Sequence, residues 1–292
     1  MKNPMPIRIL LAMWLALSVQ AVTAQDRFAD VVVEATPVRG SIYMLTGAGG
    51  NIGATVGDDG LMIIDDQYAP LADRIAEALA DLAPEDALRY VINTHYHSDH
   101  TGTNAFFAGQ QGAVILAHEN VRVRLLGDES RDEAALPVLT WSEGIKLYFN
   151  GEEIQVTYLP GHTDGDSAVY FTETNVLHTG DLLFNGRFPY IDIDGGGSVS
   201  NYIEAQATML EMIDDDTIVI PGHGPLGDKA DLLAMHEMIK TSYRSVEQRV
   251  AEGMDLATIL DQGLPTSLAQ YSWAFINEER WLQILHRDIT GG

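Results

Sequence analysis

The segment Thr94-His95-Tyr96-His97-Ser98-Asp99-His100 constrains this chain more than any other. It places three of nine histidines and a carboxylate within six residues, directly after the apolar run 90–92. At nine histidines in 292 residues, three at fixed offsets arise by chance with odds of about one in a hundred, before Asp99 is required. In an extended segment residues i and i+2 point to one side, so His95 and His97 can grip one ion as a pair. Asp99 and His100 come one turn later and can reach a neighbouring ion.

Three further residues stand at the ends of later apolar runs: His162 in Leu159-Pro160-Gly161-His162-Thr163, Asp181 in His178-Thr179-Gly180-Asp181, and His223 in Ile220-Pro221-Gly222-His223-Gly224. Each follows a glycine, which lets backbone approach a crowded centre. Taken singly, His162 or His223 reads as an ordinary loop histidine; their order and strand-end placement carry the case. The chain has no cysteine, so thiol nucleophiles, disulfides and zinc-thiolate sites are excluded. The remaining donors are nitrogen and oxygen, a set that suits zinc and leaves iron or manganese open. His118, His178, His236 and His286 lack this context and read as packed or surface residues. Asp65 and Asp66, at the end of the run 61–64, read equally well as acceptors that fix a histidine tautomer and as solvated strand ends.

Strand-like runs at 31–35, 41–46, 51–56 and 61–65, the last pair turning through Gly57-Asp58-Asp59-Gly60, precede a helix over 70–82 with Leu71, Ile75, Leu79 and Leu82 at helical spacing. The second half repeats the scheme with strands at 153–159, 168–172, 175–178 and 217–220, a helix over 200–213, and closing helices over 230–251 and 272–289. No linker rich in proline, serine or glycine parts the halves, so residues 25–292 are expected to form a single domain of two packed sheets with helices outside.

The pattern His-x-His-x-Asp-His followed by separate His, Asp and His, spread over residues 41–223, resembles the metallo-β-lactamase superfamily. The resemblance implies an α/β (α+β) fold, a four-layer αββα sandwich with metals at the sheet edge. It implies that His95, His97 and His162 hold a first Zn(2+), that Asp99, His100 and His223 hold a second, and that Asp181 bridges them. The activity implied is hydrolysis by a metal-bridging hydroxide, with Asp99 as the catalytic residue that orients it, on a carbonyl ester, lactone, thioester or β-lactam amide. β-Lactamases of the commonest subclass carry Cys at the position of Asp181 and a Lys three residues on, where this chain has Phe184, so any β-lactamase activity is expected to be weak. Asp181 is shared with glyoxalase II and the acyl-homoserine-lactone hydrolases, but the lactonases have Tyr at position 184, and Lys229, Lys240 and Arg244 form no recognisable glutathione grip. Two alternatives stay open: a mononuclear iron enzyme similar to the sulfur dioxygenases of the superfamily, and a non-catalytic periplasmic metal-binding protein.

Phe184, Arg187 and Tyr190, on a segment expected to form a mobile loop near the metals, are candidate substrate-binding residues, and their rings favour an uncharged, partly apolar acyl group. Core packing explains Phe184, Phe188 and Tyr190 nearly as well. The run Gly47-Ala48-Gly49-Gly50-Asn51 lacks dinucleotide-fingerprint spacing and reads as a flexible rim. Against 17 Lys and Arg stand 42 Asp and Glu, a formal charge of −25, which disfavours nucleic acid and anionic lipid and points to a small-molecule substrate. Lys2 and Arg8, the apolar run 9–17 and Val22-Thr23-Ala24 have the form of a signal peptide over residues 1–24. The run is too short to span a bilayer. Export to the periplasm or medium without a stable membrane anchor is expected.

Overall fold

A computed structural model describes residues 26–84 and 86–291. The chain divides after residue 30 into two units. Of the first, the described part centres on the short 3-10 turn Asp26–Phe28; the expected signal segment 1–24 lies outside the described residues.

The second unit holds two sheets. The first contains β1 (Glu34–Arg39), β2 (Ile42–Thr46), β3 (Ile52–Gly57), β4 (Gly60–Ile64), β5 (Leu88–Asn93), β6 (Val114–His118) and β7 (Leu139–Trp141), side by side in chain order. The β1 to β4 pairs are antiparallel; from β4 to β7 neighbours are parallel. The second contains β8 (Gly144–Phe149), β9 (Glu152–Tyr158), β10 (Ser167–Phe171), β11 (Val176–His178), β12 (Ile218–Ile220) and β13 (Gly227–Asp228), in the order β13-β12-β11-β10-β9-β8. Every residue of β4 is buried, as a strand covered on both faces requires.

Ile42, Met62, Ile64, Ile92 and Leu116 of the first sheet share one core with Ile154, Val156, Val169 and Phe171 of the second, so the sheets pack face to face. Helices α1 (Ala72–Leu82), α3 (Asn104–Gln111) and α4 (Glu119–Leu126) lie against strands of the first sheet; α2 is the single turn Ser98–Thr101. Ala168, Leu177 and Val219 on the other face of the second sheet meet Tyr202 and Met209 of α5 (Val199–Met212), Leu232 and Ile239 of α6 (Lys229–Ala251), Ile259 of α7 (Leu256–Gln262) and Trp281 of α8 (Glu278–Thr290). The layers are helix, sheet, sheet, helix, as the resemblance implied.

Two boundaries differ from the sequence reading. The first strand is Glu34–Arg39 rather than 31–35; it passes through Pro37, which an edge strand tolerates because no ladder partner needs the missing N–H. The helix expected over 272–289 begins only at Glu278, because Asn277 caps it, its side chain accepting from the Arg280 amide at 2.9 Å. Helical periodicity cannot see this cap. The residues before it make the 3-10 turn Thr266–Tyr271 and an irregular aromatic segment.

Strand direction places the site. β9 and β11 both run antiparallel to β10, and β12 runs parallel to β11. The C-terminal ends of β9, β11 and β12 therefore share one sheet edge, and the loops carrying His162, Asp181 and His223 leave from it.

His118 is buried outside that edge, stacked on Tyr158 with centroids 3.9 Å apart. Its Nε2 donates to the Ser142 carbonyl, and its Nδ1 accepts from the Asn120 amide at 3.1 Å, capping α4. Burial lowers its pKa below the ordinary histidine value. Protonation removes the capping lone pair, so this contribution is complete above about pH 6.5 and is lost as pH falls below it. His118→Asn keeps a capping oxygen without titrating; urea denaturation should show its stability loss between pH 7.5 and 5.5 shallower than wild type by about 1 kcal/mol. Identical slopes would show that the cap is not the acid-sensitive element.

Candidate metal centre

All seven residues singled out as ligands converge, in two groups. His95, His97, His162 and Asp181 form one and Asp99, His100 and His223 the other, each with potential ligand atoms within 4.8 Å of one another. His95, His100 and His162 are wholly buried, while the side chains of His97, Asp99 and His223 keep 16 to 19% exposure. The centre is thus closed from below and open on one side.

Hydrogen bonds to the far ring nitrogens decide what the near ones present. His97 Nε2 lies 2.9 Å from Asp192 Oδ2, His162 Nδ1 lies 2.6 Å from the Tyr190 carbonyl, and His100 Nδ1 lies 2.7 Å from Asp65 Oδ2. Thr94 Oγ1 gives its proton to Asp65 Oδ2 and so accepts from His95 Nδ1 at 3.1 Å. Each far nitrogen is then a donor, and His95 Nε2, His97 Nδ1 and His162 Nε2 are lone pairs. His97 Nδ1 nevertheless lies 3.1 Å from His95 Nε2 and 2.8 Å from His162 Nε2. Converging lone pairs are not hydrogen bonds; a shared cation satisfies them.

Asp181 stands between the groups. Its Oδ2 is 3.3 Å from His162 Nε2 and 3.7 Å from His95 Nε2; its Oδ1 is 3.2 Å from His100 Nε2 and 3.4 Å from His223 Nε2. His223 Nε2 also lies 3.4 Å from Asp99 Oδ2. His100 Nε2 and Asp181 Oδ1 are buried without a hydrogen-bond partner, a state that buried polar atoms rarely tolerate and that cation coordination relieves. The donor set therefore fits divalent metal in both groups.

The electrostatics of the two groups differ. Burial holds the pKa of His95 well below the ordinary histidine value and that of His162 at about 4, so both are neutral. Burial would also lower His100 and His223, but the surrounding carboxylates together outweigh it, Asp181 first, with Asp65 and Asp99 adding at His100 and Asp99 at His223; His100 is held well above its ordinary value and His223 is raised to about 9. Burial would raise Asp181, but the surrounding histidines, His223 first, hold it well below. A cation entering the second group would displace protons from these rings.

Asp65 settles one open reading. It is buried, with left-handed backbone at φ 64°, and binds the Thr94 amide and hydroxyl as well as His100; it orients a histidine rather than meeting solvent. Asp66 does neither. It is buried with Oδ1 accepting from the Thr103 amide at 3.0 Å, and burial raises its pKa. The glycine run is no flexible rim: Gly50 donates to the Asp99 carbonyl, the Asn51 amide to Gly222 and the Asn51 side chain to Pro221 and Gly224.

Nor is the segment after Asp181 a mobile loop. Phe188 is buried on Trp281 and its amide donates to the Tyr271 carbonyl; the Asp192 amide donates to the His162 carbonyl. Core packing explains Phe188. Phe184 is buried but stacks on His223 at 4.9 Å, Tyr190 sits 6.0 Å from His97, and Arg187 lies over Trp273. The sequence reading missed the role of Asp192, which joins His97 to the Tyr96 hydroxyl and accepts from the Gly195 amide, and of Asp166, whose carboxyl accepts from the amides of Gly161 and Thr163 and shapes the His162 loop. Neither carries a local signal: Asp166 is a carboxylate after Gly165, and Asp192 stands between Ile191 and Ile193.

A family model described as the metallo-beta-lactamase superfamily matches residues 45–223. The alpha subunit of a 2,4-dinitroanisole O-demethylase from Nocardioides sp. (strain JS1661) is 30% identical over 190 residues, 64% of this chain and 56% of that one. A hydroxyacylglutathione hydrolase from Polaromonas sp. (strain JS666) is 34% identical over 136 residues, 46% of this chain and 47% of its own. The chain thus spans about half the length of these two relatives. Among solved structures, a metallo-beta-lactamase from Pontibacter korlensis superposes with a TM-score of 0.61 at 17% identity, covering 71% of this chain and 99% of that one. The sec-alkylsulfatase Pisa1 from Pseudomonas sp. gives 0.67 at 16% identity, covering 88% and 50%. These structural likenesses are of fold.

A Cβ at Gly50 would overlap the His100 ring. Gly50→Ala should lower unfolding free energy by about 1–3 kcal/mol in urea denaturation; an unchanged value would mean that the loop gives way.

Proposed function

The chain belongs to the metallo-beta-lactamase superfamily, a superfamily of metallo-hydrolases, and from that premise we propose that it holds two divalent cations, zinc by its donor set, and cleaves an ester, lactone or thioester carbonyl. The observation that carries this reading is the division of the Asp181 carboxylate, Oδ2 toward His95 and His162 and Oδ1 toward His100 and His223. His95, His97, His162 and Asp181 would hold the first cation, and Asp99, His100, His223 and Asp181 the second. When bound, such a pair supplies hydroxide near neutral pH and polarises a carbonyl oxygen.

The chain's own residues then divide the work. Asp99, on the open side with Oδ2 3.4 Å from His223 Nε2, is placed to orient the attacking oxygen and help with its proton. Asp65 and Asp192 hold the tautomers of His100 and His97. Tyr190, 5.8 Å from His162, offers apolar surface to an acyl group, and the buried Phe184, 5.9 Å from His162, backs the site. The hydroxyacylglutathione hydrolases among the relatives support an acyl substrate. Weak β-lactam hydrolysis is compatible with Asp181 as the shared ligand. Export fits the N-terminal pattern, and N-terminal sequencing of secreted protein should begin at Gln25; a start at Met1 refutes it.

Metal analysis should find two divalent ions per chain, and a panel of lactones, thioesters, aryl esters and a chromogenic cephalosporin should show hydrolysis that a chelator abolishes. One iron and no zinc would replace this reading with the mononuclear iron alternative. Asp99→Asn should retain most of the metal while turnover falls by roughly 100-fold or more; near-full activity would remove Asp99 from its role.

A further inference from the structure

Building on the hydrolase reading, we propose that the site selects esters that carry an aromatic ring and a carboxylate. The ring would seat against a wall of Trp273, Phe275 and Tyr190, backed by the buried Phe184, and the carboxylate would be held by Arg280 with Arg187. This departs from the uncharged acyl group suggested by the sequence.

The wall runs unbroken from one metal group to the other. Phe184 stacks on His223; Trp273 follows at 6.4 Å from Phe184, Phe275 at 5.5 Å from Trp273, Tyr190 at 5.6 Å from Phe275, and Tyr190 closes on His97 at 6.0 Å. Trp273 is anchored through its Nε1, which donates to the Phe188 carbonyl at 2.9 Å. Phe275 leaves 47% of its surface in water beside a polar centre, an apolar face suited to a flat ligand.

Two guanidiniums rest on the same wall. Arg187 lies 4.9 Å from the Trp273 centroid, and Arg280 lies 4.3 Å from Phe275 and 5.4 Å from Tyr190. Three other arginines pair with carboxylates, Arg124 with Asp164, Arg131 with Asp128 and Arg287 with Asp194. Among the described residues neither Arg187 nor Arg280 has such a partner. Arg280 Nη1 donates to the Phe275 carbonyl, which leaves its other donors to bind an incoming carboxylate while the rings hold the cation in place. A cavity of about 290 Å³ beside Tyr190 and Arg280 includes Asp192 and Asp194 in its lining. Asp192 hydrogen-bonds His97 and the Tyr96 hydroxyl, and Asp194 pairs with Arg287; both keep their charge, so an incoming carboxylate would meet Arg280 on its Phe275 side rather than in this cavity.

The test has a binding arm and a kinetic arm on the full chain. In chelator-treated protein, 4-nitrobenzoate should quench tryptophan fluorescence with an affinity roughly tenfold above that of 4-nitrobenzamide. Trp273→Phe should remove the saturable quench, Arg280→Gln should abolish the preference for the acid, and Lys240→Gln, a cation elsewhere on α6, should preserve it. Equal affinity for acid and amide, or a preference unchanged in both Arg280→Gln and Arg187→Gln, overturns the proposal. In the metal-loaded enzyme the kcat/KM ratio of 4-acetoxybenzoate to phenyl acetate should fall in Arg280→Gln by the same factor. Ester hydrolysis without that ratio removes the wall but keeps the hydrolase; acid-selective binding without any hydrolysis removes the hydrolase reading and confines the wall to binding.

Discussion

A single buried carboxylate, Asp181, meets four histidine rings, two on each of its oxygens. The rest of the centre is arranged to make that crowding tolerable. Gly180 adopts a left-handed backbone where a Cβ would strike Thr94, and Gly222 lies so close that a Cβ there would overlap Asp181 itself. The two glycines bring the ends of β11 and β12 near enough to share one carboxylate between two ligand groups, and any side chain at either would push them apart.

The histidines are useful only if each presents a lone pair inward, and the molecule secures this from outside the centre. Asp65 reaches His100 directly and His95 through the Thr94 hydroxyl, so one carboxylate sets tautomers in both groups. Its left-handed backbone is a cost that a non-glycine residue bears only where the surroundings impose it, and here three hydrogen bonds do so. Asp192 performs the same task for His97 at the open side, where its second partner, the Tyr96 hydroxyl, holds it in place.

The residues that face a substrate come from a different part of the chain. The ligands all fall within the stretch shared with the superfamily, whereas Trp273, Phe275 and Arg280 lie beyond it. They reach the centre because α5 to α8 pack on the outer face of the second sheet, and the short aromatic segment before α8 turns back over Phe184 and Tyr190. The scaffold that would hold metal and the surface that would choose a substrate are thus separately encoded.

The convergence of these seven residues was legible in the sequence because each is a chemically distinctive residue at the end of an apolar run, often beside a glycine. The two-sheet core was legible as well: Ile42, Met62, Ile64, Val156 and Val169 follow from strand patterning alone. What only the tertiary structure decided are pairings without a local signature. Whether Asp65 or Asp66 meets a histidine depends on a one-residue backbone reversal. That Phe188 packs in the core on Trp281 while Phe184 stacks on His223 depends on contacts with residues far along the chain. That Arg280 stands over Tyr190, ninety positions away in the chain, follows from helix packing that no periodicity records, because such contacts are selected by shape and charge across the whole fold rather than by neighbours in sequence.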